Sequence, residues 1–114
     1  DIEFADLRQV REEALPTLRE LRAEGKVDFI GITGYPLDLL SKVTDAEDDL
    51  DTVLSYCHLT LINDRITSVL PQWIGQDRGV IAASPFAMGL LTRTLPVWHP
   101  ASPALRKACQ EAER

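Results

Sequence analysis

Three short runs of this chain, residues 27–33 (VDFIGIT), 52–57 (TVLSYC) and 80–84 (VIAAS), are apolar on both faces. A strand with one wet face alternates in polarity, whereas a strand buried on both faces of a parallel sheet does not. The runs begin 25 and 28 residues apart, about the length of one strand, one helix and the return. That rhythm predicts an α/β fold with a parallel sheet and right-handed crossovers.

The segments between the runs carry helix signals. Leu7, Val10, Ala14, Leu18 and Leu21 recur at helical spacing, and Gly25 closes that stretch at a C′ position. Pro16 falls inside the stripe and is expected to kink it or to open a second helix as its first residue. Pro36 begins the next helix, with Leu37, Leu40 and Val43 on its apolar side. Asn63 or Asp64 caps a third, with Ile66, Val69, Leu70 and Trp73 facing inward and Gly75 or Gly79 ending it. Ser102-Pro103 opens a last helix through Ala112. Three parallel strands alone leave two apolar edges open, and a closed eight-stranded α/β barrel takes roughly 250 residues. For 114 residues that begin without an initiator Met, the expectation is a small open α/β domain or a segment of a longer chain.

Composition narrows the partners. Lys and Arg number 12 against 18 Asp and Glu, a net charge of −6, which repels phosphate backbones and anionic headgroups. No nucleic acid or membrane partner is expected. No apolar run approaches the roughly 18 residues of a membrane span, and Asp1-Ile2-Glu3-Phe4 lacks the basic flank and apolar core of a signal peptide. Cys57 and Cys109 are too few for a disulfide framework, so a reducing, cytoplasmic setting is expected. His58 and His99 stand outside any ligand-spaced cluster, and no metal site is expected. The stretch Glu47-Asp48-Asp49-Leu50-Asp51 reads as a solvated loop rather than a cation site.

In a parallel α/β arrangement, the useful groups lie just past the carboxyl ends of the strands. Those ends read Ile32-Thr33-Gly34-Tyr35-Pro36, Ser55-Tyr56-Cys57-His58-Leu59-Thr60 and Ala83-Ser84-Pro85-Phe86-Ala87-Met88-Gly89. Small hydroxyl residues and glycine at each turn suit close backbone approach to a polar ligand, although Thr33 and Ser84 can equally satisfy turn amides. There is no glycine-rich phosphate loop followed by Lys-Ser/Thr, and no G-x-S-x-G. His58 is expected to be a hydrogen-bonded structural histidine, with a lining or acid/base role as the alternative. Cys57 is expected to be an inert buried thiol, and His99 a loop histidine packed beside Trp98.

Two of these phrases carry a resemblance. Glu24-Gly25-Lys26-Val27-Asp28-Phe29-Ile30-Gly31-Ile32-Thr33 is similar to the run into the fifth barrel strand of aldo-keto reductases. The phrase from Val80 to Thr92, VIAASPFAMGLLT, resembles the family's "A-Y-S-P-L-x-x-G-L-L-T" after the seventh strand. The likeness covers nearly the whole chain in order. Leu54-Ser55-Tyr56-Cys57-His58 and Trp98-His99-Pro100-Ala101-Ser102-Pro103 look most like the L-galactose dehydrogenase branch, which includes aldose dehydrogenases acting at C1.

The resemblance implies part of a (β/α)8 TIM barrel, roughly strands 5 to 7 with flanking helices, as a single domain over residues 1–114. It implies NAD or NADP as cofactor, with NAD favoured, and a small-molecule sugar or carbonyl substrate. No catalytic residue is carried over, because the family's catalytic Asp, Tyr, Lys and His belong to earlier strands. For cofactor binding, Thr33 matches a hydroxyl that helps hold the nicotinamide carboxamide. Ser55 or Tyr56 stands about where the family places a Gln. Ser84, Phe86 and Gly89 fall where the chain approaches the pyrophosphate. Gly34 replaces the family's Asn and removes one contact, and Ala83 replaces the Tyr that stacks on the nicotinamide. Trp98 and His99 are placed to line the sugar pocket or to pack within their loop. The expected activity of the complete protein is oxidation of an aldose at C1 to its lactone, with the 114 residues alone inactive. The alternative is a non-catalytic α/β binding or interaction module derived from a barrel.

Overall fold

A computed structural model describes residues 1–112. Strands β1 (Gly31–Gly34), β2 (Thr52–Tyr56) and β3 (Gly79–Ala83) form one sheet in that order. Both pairings are parallel, as the rhythm of the apolar runs predicts. In register, Ile32, Val53 and Val80 share one face, and Thr33, Leu54 and Ile81 share the other.

The first strand begins four residues later than the sequence suggests, at Gly31 instead of Val27. The reason is register: β2 starts at Thr52 and faces Gly31, so residues 27–29 lie past the end of the strand that pairs with β1. Ile30 is the transition, its N–H donating to Asp51 Oδ2 at 2.8 Å and its carbonyl accepting from Asp51 N at 2.7 Å. The other two strands stop one residue early, because Cys57 and Ser84 turn into left-handed backbone at φ 60 and 55.

The N-terminal helical run comprises α1 (Leu7–Gln9), a π-turn (Val10–Ala14) and α2 (Leu15–Ala23). Pro16 sits in the first turn of α2 and has no N–H to donate. Just before it the run widens, with Leu15 N–H bonding Val10 O, five residues back. Gly25 ends the run at φ 71. Helix α3 (Leu37–Ala46) follows Pro36, which serves as its N-cap. Arg65–Ser68 forms a 3-10 turn ahead of α4 (Leu70–Gly75); Asp64 is its N-cap without a side-chain bond, and Asn63 Oδ1 accepts from Arg65 N at 3.2 Å. Ser102 Oγ accepts from Leu105 N at the start of α5 (Pro103–Ala112). No helix among the described residues is long and apolar enough to cross a membrane.

The core lies on the Ile32–Val53 face, where Leu40, Val43 and Trp73 are buried. Trp73 is fully enclosed, and its Nε1 donates to Thr44 Oγ1 at 3.1 Å, tying α4 to α3. The opposite face is half-buried to exposed, with Ile81 at 48%. One edge of β1 and one edge of β3 are unpaired among the described residues. The radius of gyration is 16.9 Å, against about 13 Å for a closed domain of this length.

The acidic stretch is not a solvated loop. Arg19 bonds Glu47 Oε2 at 2.8 Å and both oxygens of Asp49 at 2.6 and 2.7 Å. Arg11 bonds Glu47 at 2.7 Å, and Arg22 bonds Asp49 at 2.8 Å and Asp51 at 3.2 Å. The carboxylates therefore pin the N-terminal helical run to the segment entering β2. Hydrogen bonds from Arg19 hold Glu47 below its usual range and bring Asp49 down to about 2. Because the folded state depresses these values, the stabilisation is complete above pH of about 5 and is lost as protons bind on the way down to about 2. Urea midpoints are expected to fall across that window. Arg19→Ala is expected to cost about 1–2 kcal/mol at neutral pH, a modest figure because Arg19 and Asp49 remain partly exposed to solvent, and to flatten the acid limb. An unaltered acid limb in that variant contradicts the assignment.

Candidate functional site

Parallel pairing in register brings the three carboxyl ends to one end of the sheet, with Gly34, Ser55 and Ala82 side by side. Past them the backbone is strained. Among the described residues the non-glycine positions at positive φ are Cys57, Asp77, Ser84, Ala87 and Met88, and four of the five lie at these ends. Such conformations cost of order 1–3 kcal/mol each and concentrate where ligands are clamped. Gly89 continues the turn at φ 92, and a Cβ there would meet Pro96 Cγ at 2.8 Å.

Face parity sorts the side chains. Ser55 points to the helix-covered face, 1% exposed, and shares a 2.7 Å hydrogen bond with His58 Nδ1. Thr33 and Tyr56 point to the other face and are half-buried. Burial, followed by the charge of Arg65, pushes the His58 pKa down, so the ring is neutral. His58 is thus a bonded structural histidine. Its ring stacks on Tyr35 at 4.6 Å, and Tyr35 in turn tilts against Tyr56 at 5.3 Å.

Glu3, on the 3-10 turn Ile2–Phe4, bridges the ends of β1 and β2. One carboxylate oxygen accepts from the Tyr56 hydroxyl and the other from Tyr35 N at 2.8 Å. That bond, then burial, raises the Tyr56 pKa to about 12, which removes Tyr56 from acid/base work at neutral pH. Cys57 is buried and its thiol pKa is pushed up by desolvation, matching an inert thiol.

The loop after β3 is a tight turn in which Ala87 N bonds Ser84 O at 2.9 Å and Gly89 N bonds Phe86 O at 3.0 Å. Ser84 is half-buried and Phe86 is exposed. His99 is buried and braces this loop: Nε2 bonds Ala87 O at 2.9 Å, and Nδ1 accepts from Ala101 N at 3.0 Å. Trp98 lies beside it, centroids 6.0 Å apart, and stays exposed. A cavity of about 280 Å³ opens between the ends, lined by Tyr35, Cys57, Asn63, Met88, His99 and Leu105 among others. No group of three or more potential metal ligands occurs among the described residues.

Thr33, Tyr56, Ser84, Phe86 and Gly89 therefore gather at one end of the sheet, while Ser55 lies behind it. Glu3 and Tyr35 were not singled out from the sequence. Glu3 is 53 residues from its Tyr56 partner, a separation that no local pattern announces.

The Aldo/keto reductase family model matches residues 2–110. The chain belongs to the aldo/keto reductase family. Within it, the chain is 47% identical over 115 residues to L-galactose dehydrogenase of Arabidopsis thaliana, covering 98% of this chain and 36% of that protein. It is 32% identical to D-arabinose 1-dehydrogenase of Saccharomyces cerevisiae, covering all of this chain and 37% of the relative. It is 37% identical to D-threo-aldose 1-dehydrogenase of a Pseudomonas species, over 84% of this chain and 29% of the relative. The chain thus spans about a third of the length of the curated relatives it matches. Aldo/keto reductases use NAD(P)H.

Proposed function

We propose that the complete protein is an NAD(P)-dependent sugar dehydrogenase that oxidises an aldose resembling L-galactose at C1 to its lactone. In this reading residues 1–114 contribute strands five to seven of a single (β/α)8 barrel domain and the central part of its dinucleotide site. The observation that carries it is the convergence of Thr33, Tyr56, Ser84 and Phe86 at one end of an in-register parallel sheet. The strained turns of Ser84, Ala87 and Met88 support it, as do three similar sugar dehydrogenases. The half-paired strand edges and the exposed face around Ile81 suit a sheet that continues on both sides.

In the reaction the aldose C1–H bond breaks with its electron pair, the anomeric hydroxyl loses its proton to a base, and a C=O bond forms at C1. The bound oxidised nicotinamide supplies the hydride acceptor. The residues of this chain orient and do not move protons: Tyr56 is locked on Glu3, His58 is neutral and bonded to Ser55, and both ring nitrogens of His99 are held by backbone. Thr33 offers its hydroxyl to the carboxamide, and the Ser84–Gly89 turn offers backbone to the diphosphate. NAD is the preferred form on the likeness to the galactose dehydrogenase branch, and the cytoplasm the expected compartment.

The test is aldose-dependent reduction of NAD and NADP by the complete protein, with Thr33→Ala beside it. Thr33→Ala is expected to raise the dinucleotide KM about five- to tenfold, the size of one hydrogen bond. Absence of both dinucleotide binding and turnover would favour the interaction module instead.

A further inference from the structure

Resting on that reading of the site, we infer that Glu3 and Tyr35 form the sugar-recognition wall of the cleft, with Glu3 accepting a hydroxyl of a polyhydroxylated substrate and Tyr35 covering its C–H face. Three observations lead there. The Glu3 carboxylate lies half-buried over the ends of β1 and β2, and both groups that bond it, Tyr56 O–H and Tyr35 N–H, are neutral donors. A carboxylate has about four acceptor positions, so two hydrogen bonds leave room for further donors, and a sugar presents several hydroxyl donors. The second observation is the ring beside it. Tyr35 is 41% exposed, yet it is held by stacking on His58 and by the tilted Tyr56. The third is their coupling: the Tyr35 N–H bond to Glu3 fixes carboxylate and ring as one unit.

A carboxylate next to an immobilised aromatic suits a ligand with polar edges and apolar faces. Sugars have that shape, and simple aldehydes or ketones do not. Glu3 is thereby a specificity-determining residue, and the wall selects aldoses over plain carbonyl compounds. The acceptor positions of Glu3 that Tyr35 and Tyr56 leave open are available to a substrate that brings donors.

The test uses the complete protein with L-galactose and its monodeoxy analogues. Glu3→Gln is expected to raise the L-galactose KM about tenfold to a hundredfold, the loss of a charge-assisted hydrogen bond, while the NADH dissociation constant moves less than threefold. Against one monodeoxy analogue, the difference between Glu3→Gln and wild type is expected to vanish, which a merely structural role would not produce. An unchanged L-galactose KM in a folded Glu3→Gln variant overturns the inference and leaves dinucleotide binding standing. Failure of wild type to bind NADH or NADPH overturns both. Should Glu3→Gln not fold, Glu3→Asp and the wild-type analogue series decide. No KM change in Glu3→Asp together with equal KM across all analogues overturns it, and a selective rise for one analogue supports it.

Discussion

Produced alone, the 114 residues are expected to self-associate and to show no aldose-dependent reduction of NAD or NADP above background. The accessible surface is 7469 Å², against about 6,200 Å² for a closed monomer of this mass. The surplus of roughly 1,200 Å² is what a specific interface buries. Its chemistry is apolar in part: Phe29, Leu61 and Val97 are 75%, 93% and 95% exposed. Unpaired strand edges beside such groups template association with other copies. The catalytic silence has a separate cause, since Tyr56, His58 and His99 at the strand ends are already engaged. Size-exclusion chromatography across concentrations, paired with a turnover assay, checks both halves. A concentration-independent monomer with a sharp melting transition contradicts the first, and measurable turnover the second.

Trp73→Ala is expected to destabilise the complete protein by about 3–5 kcal/mol, a large share of a typical domain's margin. The indole is wholly enclosed and is the bolt between α4 and α3 behind the sheet. Trp73→Phe keeps much of the volume and loses the Nε1 bond to Thr44. Thr44 Oγ1 still donates to Ser41 O, so this change should cost only about 1–2 kcal/mol. Urea unfolding with a constant slope reads both. Equal effects from the two variants would mean that packing at this position is not what binds the helices together.

The parallel layout was legible because burial on both faces suppresses alternation, and the helices because Leu7, Val10, Leu18 and Leu40 repeat with the turn of an α-helix. Gly25 and Ser102 mark ends through their own backbone chemistry. The start of β1 was not legible, since Thr52 of the neighbouring strand fixes it and residues 27–30 have the same composition on either side of that limit. Nor was the ion-pair network, whose acids at 47–51 meet arginines 27 to 36 residues earlier. At the candidate site, the hydroxyl-bearing ends were readable from the chain turns. Ser55 and Tyr56 could be told apart only by pleat parity, which sends the first behind the sheet and the second beside Thr33. Glu3 stayed hidden because its partners, Tyr35 N–H and the Tyr56 hydroxyl, lie 32 and 53 residues along the chain.

The most direct test of the strand-end cleft is backbone hydrogen exchange of the complete protein with and without saturating NADH. Slower exchange is expected together at residues 33–35 and 84–89, two segments about fifty residues apart that the sheet brings to one end. NADH bound at saturation with exchange unchanged in both segments would contradict the account.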